Sequence, residues 1–140
     1  MTTTTNNNTP KIIDLINEPS ETAKISLEFF PPRSPEGVEN LYKRMDRMLE
    51  VVKPLFTDVT WGAGGSTAEL SMTLAQYAHA HGHVANLHMT CTNMGGDKPK
   101  EYVWEQLQTA RQCGIRNIVA LRGDPPAGQD EWKAAEGGFT

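Results

Sequence analysis

Four polar groupings in this 140-residue chain sit where a strand gives way to a loop: Glu28 in SLEFFPP, Thr60 in DVTWGAGG, His88 in LHMTCT, and Arg122 with Asp124 in ALRGDPP. They supply a carboxylate able to hold or deliver a proton, a hydroxyl donor, an imidazole, and a guanidinium with a second carboxylate. That set suits acid–base chemistry or the binding of a polar ligand. The groupings recur at intervals of about 30 residues, the length of one strand-helix unit. Such spacing marks a parallel α/β barrel whose chemistry sits on the carboxyl ends of the strands.

Taken singly, each residue has a structural explanation. Glu28 could be an ion pair with Lys24 or Arg33, Thr60 is a good strand former, His88 suits a hydrogen-bonded core position, and Arg122 could pair with Asp124. Read as the last inward residue of its strand, each of Glu28, Thr60, His88 and Arg122 would lie at one end of a barrel interior. Polar groups there cost free energy unless partnered, so four together are hard to explain by packing.

The elements that must position them follow from periodicity. KIIDLINEP carries Ile12, Ile13, Leu15 and Ile16 in a short amphipathic pattern ended by Pro19, which predicts a helix across one end of the domain. KISLEFF alternates, with Ile25, Leu27 and Phe29 opposite Ser26, Glu28 and Phe30, and stops at Pro31 and Pro32. Ser34 before Pro35 predicts a capped helix start, followed by Val38, Leu41, Met45, Met48 and Val52 on one face. LFTDVTW reads as a second strand. Ser66 and Glu69 read as a capping box for a helix with Leu70, Leu74, Tyr77 and Ala78, closed by Gly82.

VANLHMTC is the third strand, with Asn86, His88 and Thr90 on one face and a following loop that holds Gly95 and Gly96. Lys98 and Pro99 open a helix with Val103, Leu107 and Ala110 inward, and Gly114 is its left-handed stop. NIVALRGD is the fourth strand. Strands and helices in this order imply right-handed crossovers and a parallel sheet. A closed barrel needs eight units and roughly 250 residues. The expected fold is therefore α/β, the first four strand-helix units of a TIM-type barrel, a truncated half barrel at residues 11–140 behind a disordered low-complexity tail at 1–10.

Composition narrows the partners. With 38% hydrophobic and 21% charged residues and a formal charge of −4, the chain reads as one globular domain without the basic field that nucleic acid or an anionic membrane would attract. Cys91 and Cys113 have no paired metal or redox spacing, and MTTTTNNNTP resembles neither a secretory signal nor a transit peptide, so a cytoplasmic setting is expected. His79, His81 and His83 alternate at a helix exit and read as a solvated cluster, not a metal site. GAGG lacks the third glycine of a dinucleotide fingerprint.

In this order, SLEFFPPR, DVTWGAGG, LHMTCT, NIVALRGDPP and the closing EGGF resemble methylenetetrahydrofolate reductase, most closely its eukaryotic form. The resemblance implies FAD at the carboxyl ends of barrel strands and NADPH, or NADH, as reductant. It implies the reduction of 5,10-methylenetetrahydrofolate to 5-methyltetrahydrofolate in one-carbon and methionine metabolism, by an enzyme that self-associates when full length. Glu28 matches the general acid, which protonates the leaving nitrogen as the folate's bridging methylene opens. Thr60, Trp61, His88, Arg122, Gly123 and Asp124 match flavin-binding positions, and Asp124 is expected to meet the folate as well. The alternative is a non-catalytic binding or interaction module acting through its open sheet edges.

Overall fold

A computed structural model describes residues 9–62, 66–92, 98–125, 131 and 136–139. Elements run α1 (Ile12–Asn17), β1 (Ser26–Phe29), α2 (Pro35–Val52), β2 (Phe56–Thr60), α3 (Ala68–Ala80), β3 (Ala85–Thr90), α4 (Pro99–Gln112) and β4 (Asn117–Leu121). All strand pairs are parallel, in the order β1-β2-β3-β4, so the sheet is open and β1 and β4 form its edges. The α/β half-barrel expectation matches this arrangement.

Strand parity divides the sheet into two chemically different faces. Register pairs Glu28 with Asp58, Asp58 with Asn86, Thr60 with His88, and His88 with Val119, and paired residues of parallel strands share a face. The opposite face carries Phe29, Val59, Ala85, Leu87 and Met89, all buried. It packs on Leu41, Met45 and Leu49 of α2, Met72, Leu74 and Ala75 of α3, and Val103 and Ala110 of α4. The helices cover the apolar face and leave the polar face open.

Helix boundaries follow local chemistry. Ser34 accepts a hydrogen bond from the Gly37 amide, and Pro35 takes the first helical position of α2, as the sequence indicates. The capping box expected at Ser66 and Glu69 does not form at the start of α3. The helix begins at Ala68 behind Thr67, whose side chain makes no cap. The Thr67 hydroxyl instead accepts from the Gly62 amide at 2.7 Å and meets Ser71 Oγ at 3.1 Å, while Ser71 Oγ donates to the Thr60 carbonyl at 2.8 Å. Competition from the strand-to-helix turn draws the hydroxyl away from the helix end, and the gain is a fixed Thr60 backbone.

Both α3 and α4 end in Schellman motifs. Gly82 donates to the His79 carbonyl and His83 to Ala78, while Gly114 donates to Arg111 and Ile115 to Ala110. Both glycines have positive φ.

The first helix lies across the amino ends of the strands, as its pattern predicts. At one end, Ile12 N donates to Asn117 Oδ1 of β4 at 2.9 Å. At the other, Lys24, just before β1, donates its ammonium to the Leu15, Ile16 and Glu18 carbonyls. A six-residue helix is about 9 Å long, and with its flanks it bridges the roughly 14 Å width of four strands. Docking starts at Thr9, before the expected boundary at Lys11: Thr9 is buried, its hydroxyl donates to the Gly114 carbonyl, and the Pro10 carbonyl accepts from Asn117. Residues 1–8 of the expected tail and the Gly95–Gly96 loop lie outside the described residues. Among the described residues no helix is long and apolar enough to cross a membrane.

Candidate active site

Because β1, β2 and β3 run parallel in this register, the carboxyl ends of neighbouring strands deliver their polar side chains to one place. Thr60 Oγ1 donates to Glu28 Oε1 at 2.6 Å, and His88 Nδ1 lies 3.3 Å from the same oxygen. The other ring nitrogen, Nε2, lies 2.9 Å from Asp58 Oδ1, which also accepts from Asn86 Nδ2 at 2.7 Å. The result is a continuous chain from Asn86 through Asp58 and His88 to Glu28 and Thr60.

Exposure is graded along that chain. The Asp58 side chain is 11% exposed, His88 21% and Glu28 40%. The buried end is multiply hydrogen-bonded, which an interior carboxylate requires. The open end presents a carboxyl group to whatever occupies the polar face. Polar contacts at 40% exposure contribute little to stability, so the arrangement at Glu28 is weakly explained as a structural device.

The ion pair considered for Glu28 with Lys24 or Arg33 is absent among the described residues. Lys24 is engaged at the opposite end of the strand, on the carbonyls that close α1. Glu28 is held by Thr60 and His88 instead.

The remaining expected site residues are placed differently. Trp61 follows Thr60 with opposite parity, is 2% exposed and belongs to the apolar core. Only its backbone can line the polar face. Arg122 is not the last inward residue of β4: register puts Val119 opposite His88 and Leu121 opposite Thr90, so these two face inward. Strand parity is set by pairing, and counting back from the loop missed it.

Arg122 begins the turn beyond β4. Its carbonyl accepts from the Thr92 hydroxyl, while Cys91 N donates to the Leu121 carbonyl at 2.9 Å. Gly123 has φ of +83°, and a Cβ there would lie 3.0 Å from Thr90 Cγ2, so this turn rests close against the end of β3. Asp124 is exposed beside it.

Asp58 and Asn86 were missed as site residues. The signal was available: Asp58 lies two residues before Thr60 in one strand and therefore shares its face, and a carboxylate inside a strand needs a partner. Among the described residues no group of three or more His, Cys, Asp or Glu side chains is placed to hold a metal ion. Glu28, His88 and Asp58 form a line, not a cage.

The histidines at the α3 exit form a separate feature. His81 Nδ1 lies 2.8 Å from the Tyr77 carbonyl and its ring packs on the Tyr77 ring, with centroids 4.1 Å apart. Tyr77 donates its hydroxyl to Asp46 at 2.6 Å, and that hydrogen bond, then burial, raises the phenol above its ordinary 10.0. Burial, then the neighbouring His81, lowers His83 below 6.5.

Comparison with known proteins agrees with the motifs. The methylenetetrahydrofolate reductase family model matches residues 11–140. Methylenetetrahydrofolate reductase (NADH) 1 of Arabidopsis thaliana is 47% identical over 133 residues, covering 93% of this chain and 22% of that protein. Methylenetetrahydrofolate reductase 2 of Schizosaccharomyces pombe is 48% identical over 125 residues, 88% of this chain and 19% of that protein. A probable methylenetetrahydrofolate reductase (NADPH) of Caenorhabditis elegans is 36% identical over 111 residues, 75% of this chain and 16% of that protein. The chain thus spans about a fifth of the length of these relatives. The open parallel sheet, its polar row and these matches lead to one conclusion: the chain belongs to the methylenetetrahydrofolate reductase family.

Proposed function

We propose that this segment supplies the proton-donating part of a site that reduces 5,10-methylenetetrahydrofolate to 5-methyltetrahydrofolate with a nicotinamide dinucleotide, through FAD. The observation that carries the reading is Glu28, a carboxyl group held by Thr60 and His88 yet 40% exposed on the open polar face. Bound FAD supplies hydride chemistry that no protein side chain offers. Glu28 supplies the proton: its carboxyl hydrogen passes to the folate nitrogen that leaves the bridging methylene carbon. The resulting iminium accepts hydride. Thr60 keeps the carboxyl in one orientation through its hydroxyl.

The residues present suit a flat heterocycle. A polar row of Glu28, Thr60 and His88 borders an apolar strip of Val119, 37% exposed, and Leu121 on the same face. That pairing gives a ring an apolar floor and a hydrogen-bonding edge. The Arg122–Asp124 turn, seated against β3, and the backbone at Trp61 would line the same group, with Asp124 reaching toward the folate. The relatives' names divide between NADH and NADPH. Rates of flavin reduction by each reductant decide between them.

The test uses the full-length context, this segment joined to the remainder that its relatives carry. Glu28→Gln should bind flavin and keep nicotinamide oxidation with an artificial acceptor, while folate reduction falls at least ~100-fold. Equal loss of both half-reactions would overturn the assignment of Glu28 as the acid.

A further inference from the structure

Glu28 must regain a proton in every turnover, and the structure holds a group placed to return it. His88 spans two carboxylates from two strands, with Nδ1 3.3 Å from Glu28 Oε1 and Nε2 2.9 Å from Asp58 Oδ1. An ionised carboxylate only accepts hydrogen bonds, so the contact with Asp58 places a proton on Nε2. Nδ1 is then the ring position left to exchange a proton with Glu28.

Asp58 is itself fixed. Its side chain is nearly buried and its Oδ1 accepts from Asn86 Nδ2, so it cannot turn away without stranding a buried amide. On the neighbouring strands, Thr60 lies opposite His88 on β2 and Val119 opposite it on β4. His88, 21% exposed, keeps contact with solvent, whereas Asp58 at 11% nearly loses it.

We propose that Asp58 is a positioning residue for proton delivery. It holds His88 with hydrogen on Nε2, so that Nδ1 takes a proton from solvent and passes it to Glu28 Oε1. The balance closes within the chain and solvent. Glu28 loses one proton to the folate nitrogen and becomes a carboxylate, and His88 accepts one from a hydronium ion or buffer acid, which is left as water or buffer base, to become imidazolium between two carboxylates. The Nδ1–H bond then breaks as the Oε1–H bond forms, which leaves neutral imidazole and a recharged acid. This inference rests on the proposed role of Glu28, and its test separates the two.

In the 140-residue chain, nitrogen NMR of the neutral form of the His88 ring, assigned by comparison with His88→Gln, should show the hydrogen on Nε2. Asp58→Asn should move the proton toward Nδ1, since an amide can donate to Nε2. In the full-length context, multiple-turnover folate reduction by Asp58→Asn should fall ~10- to 100-fold, with flavin reduction by the nicotinamide within about twofold of the parent and partial recovery in Asp58→Glu. A neutral parent ring protonated on Nδ1, or unchanged folate reduction in Asp58→Asn, overturns the proposal. So does an equal loss in both half-reactions. If Glu28→Gln retains folate reduction while the ring is protonated on Nε2, the acid assignment fails and the positioning by Asp58 stands.

Discussion

Thr60 Oγ1 donates to Glu28 Oε1 across 2.6 Å, tying together residues 32 apart in sequence at the ends of two neighbouring strands. The donor is steady because the Thr60 carbonyl is held in turn by Ser71 Oγ on α3. A carboxyl group that is 40% exposed would otherwise sample several rotamers. The hydrogen bond therefore serves orientation more than stability.

Thr60→Val separates those two contributions, because it keeps the branched shape and removes the donor. Urea unfolding of the 140-residue chain should show a loss below about 1 kcal/mol, the range for a partly solvated hydrogen bond. Folate reduction in the full-length context should fall ~10-fold, and Thr60→Ser should recover most of it. A Thr60→Val protein with full folate reduction would show that Glu28 is positioned by other means.

Much of this arrangement was legible in the sequence, and most of the exceptions share a cause. Four strands, their parallel order, the Ser34 cap and the Gly82 and Gly114 stops follow from short-range patterns, which are local properties of the chain. Glu28, Thr60 and His88 were found because each lies near the carboxyl end of its strand with the parity of the polar face, although the last inward residue of β3 is Thr90 and not His88. Asp58 shares the parity of Thr60 within one strand and was passed over, whereas Arg122 was assigned to the polar face because its placement depends on register. Register is a relationship between strands that no single strand encodes. The Ser66 capping box failed for a similar reason, since Thr67 met a partner five residues back at Gly62.

Gly114 should be the least replaceable of the helix-ending glycines. Its φ is +80°, and a Cβ would lie 2.4 Å from His79 Nε2; at Gly82, φ is +84° but nothing lies within 4 Å. Gly82→Ala therefore carries only the left-handed backbone cost of about 1–2 kcal/mol. Gly114→Ala also pushes the tip of the His79 ring off its rotamer, adding about 0.5–1.5 kcal/mol. Adding His79→Ala should remove most of that extra loss in a double-mutant cycle read by urea midpoints. Equal effects at the two glycines would refute the clash.

Lys53 ends α2 in the left-handed region, with φ of 49° and ψ of 59°, and its amide donates to the Leu49 carbonyl at 3.1 Å. It is the one non-glycine residue with positive φ among the described residues. Glycine relieves that strain at some cost in unfolded-chain entropy. Lys53→Gly should raise stability by about 0.5–1 kcal/mol, and Lys53→Ala should leave it nearly unchanged. Thermal unfolding of the three proteins checks the order, and a destabilised Lys53→Gly would mean the lysine side chain contributes packing there.

His83 gives the fold a pH dependence whose sign is set by its surroundings. Burial, then the charge of His81, lowers its folded value below the 6.5 of the unfolded chain. Between those values the unfolded chain binds more protons, so stability rises with pH. The contribution is fully present above about 6.5 and is lost as pH falls from there through the lowered folded value. It should amount to less than about 1 kcal/mol, since His83 is only half-buried. The measurement is the difference in urea midpoint between the parent and His83→Gln across pH 5 to 8. That difference should change below 6.5 and be flat above it, and His81→Gln should shrink the change in the parent. Parallel profiles at all pH values would place the acid sensitivity of this chain elsewhere.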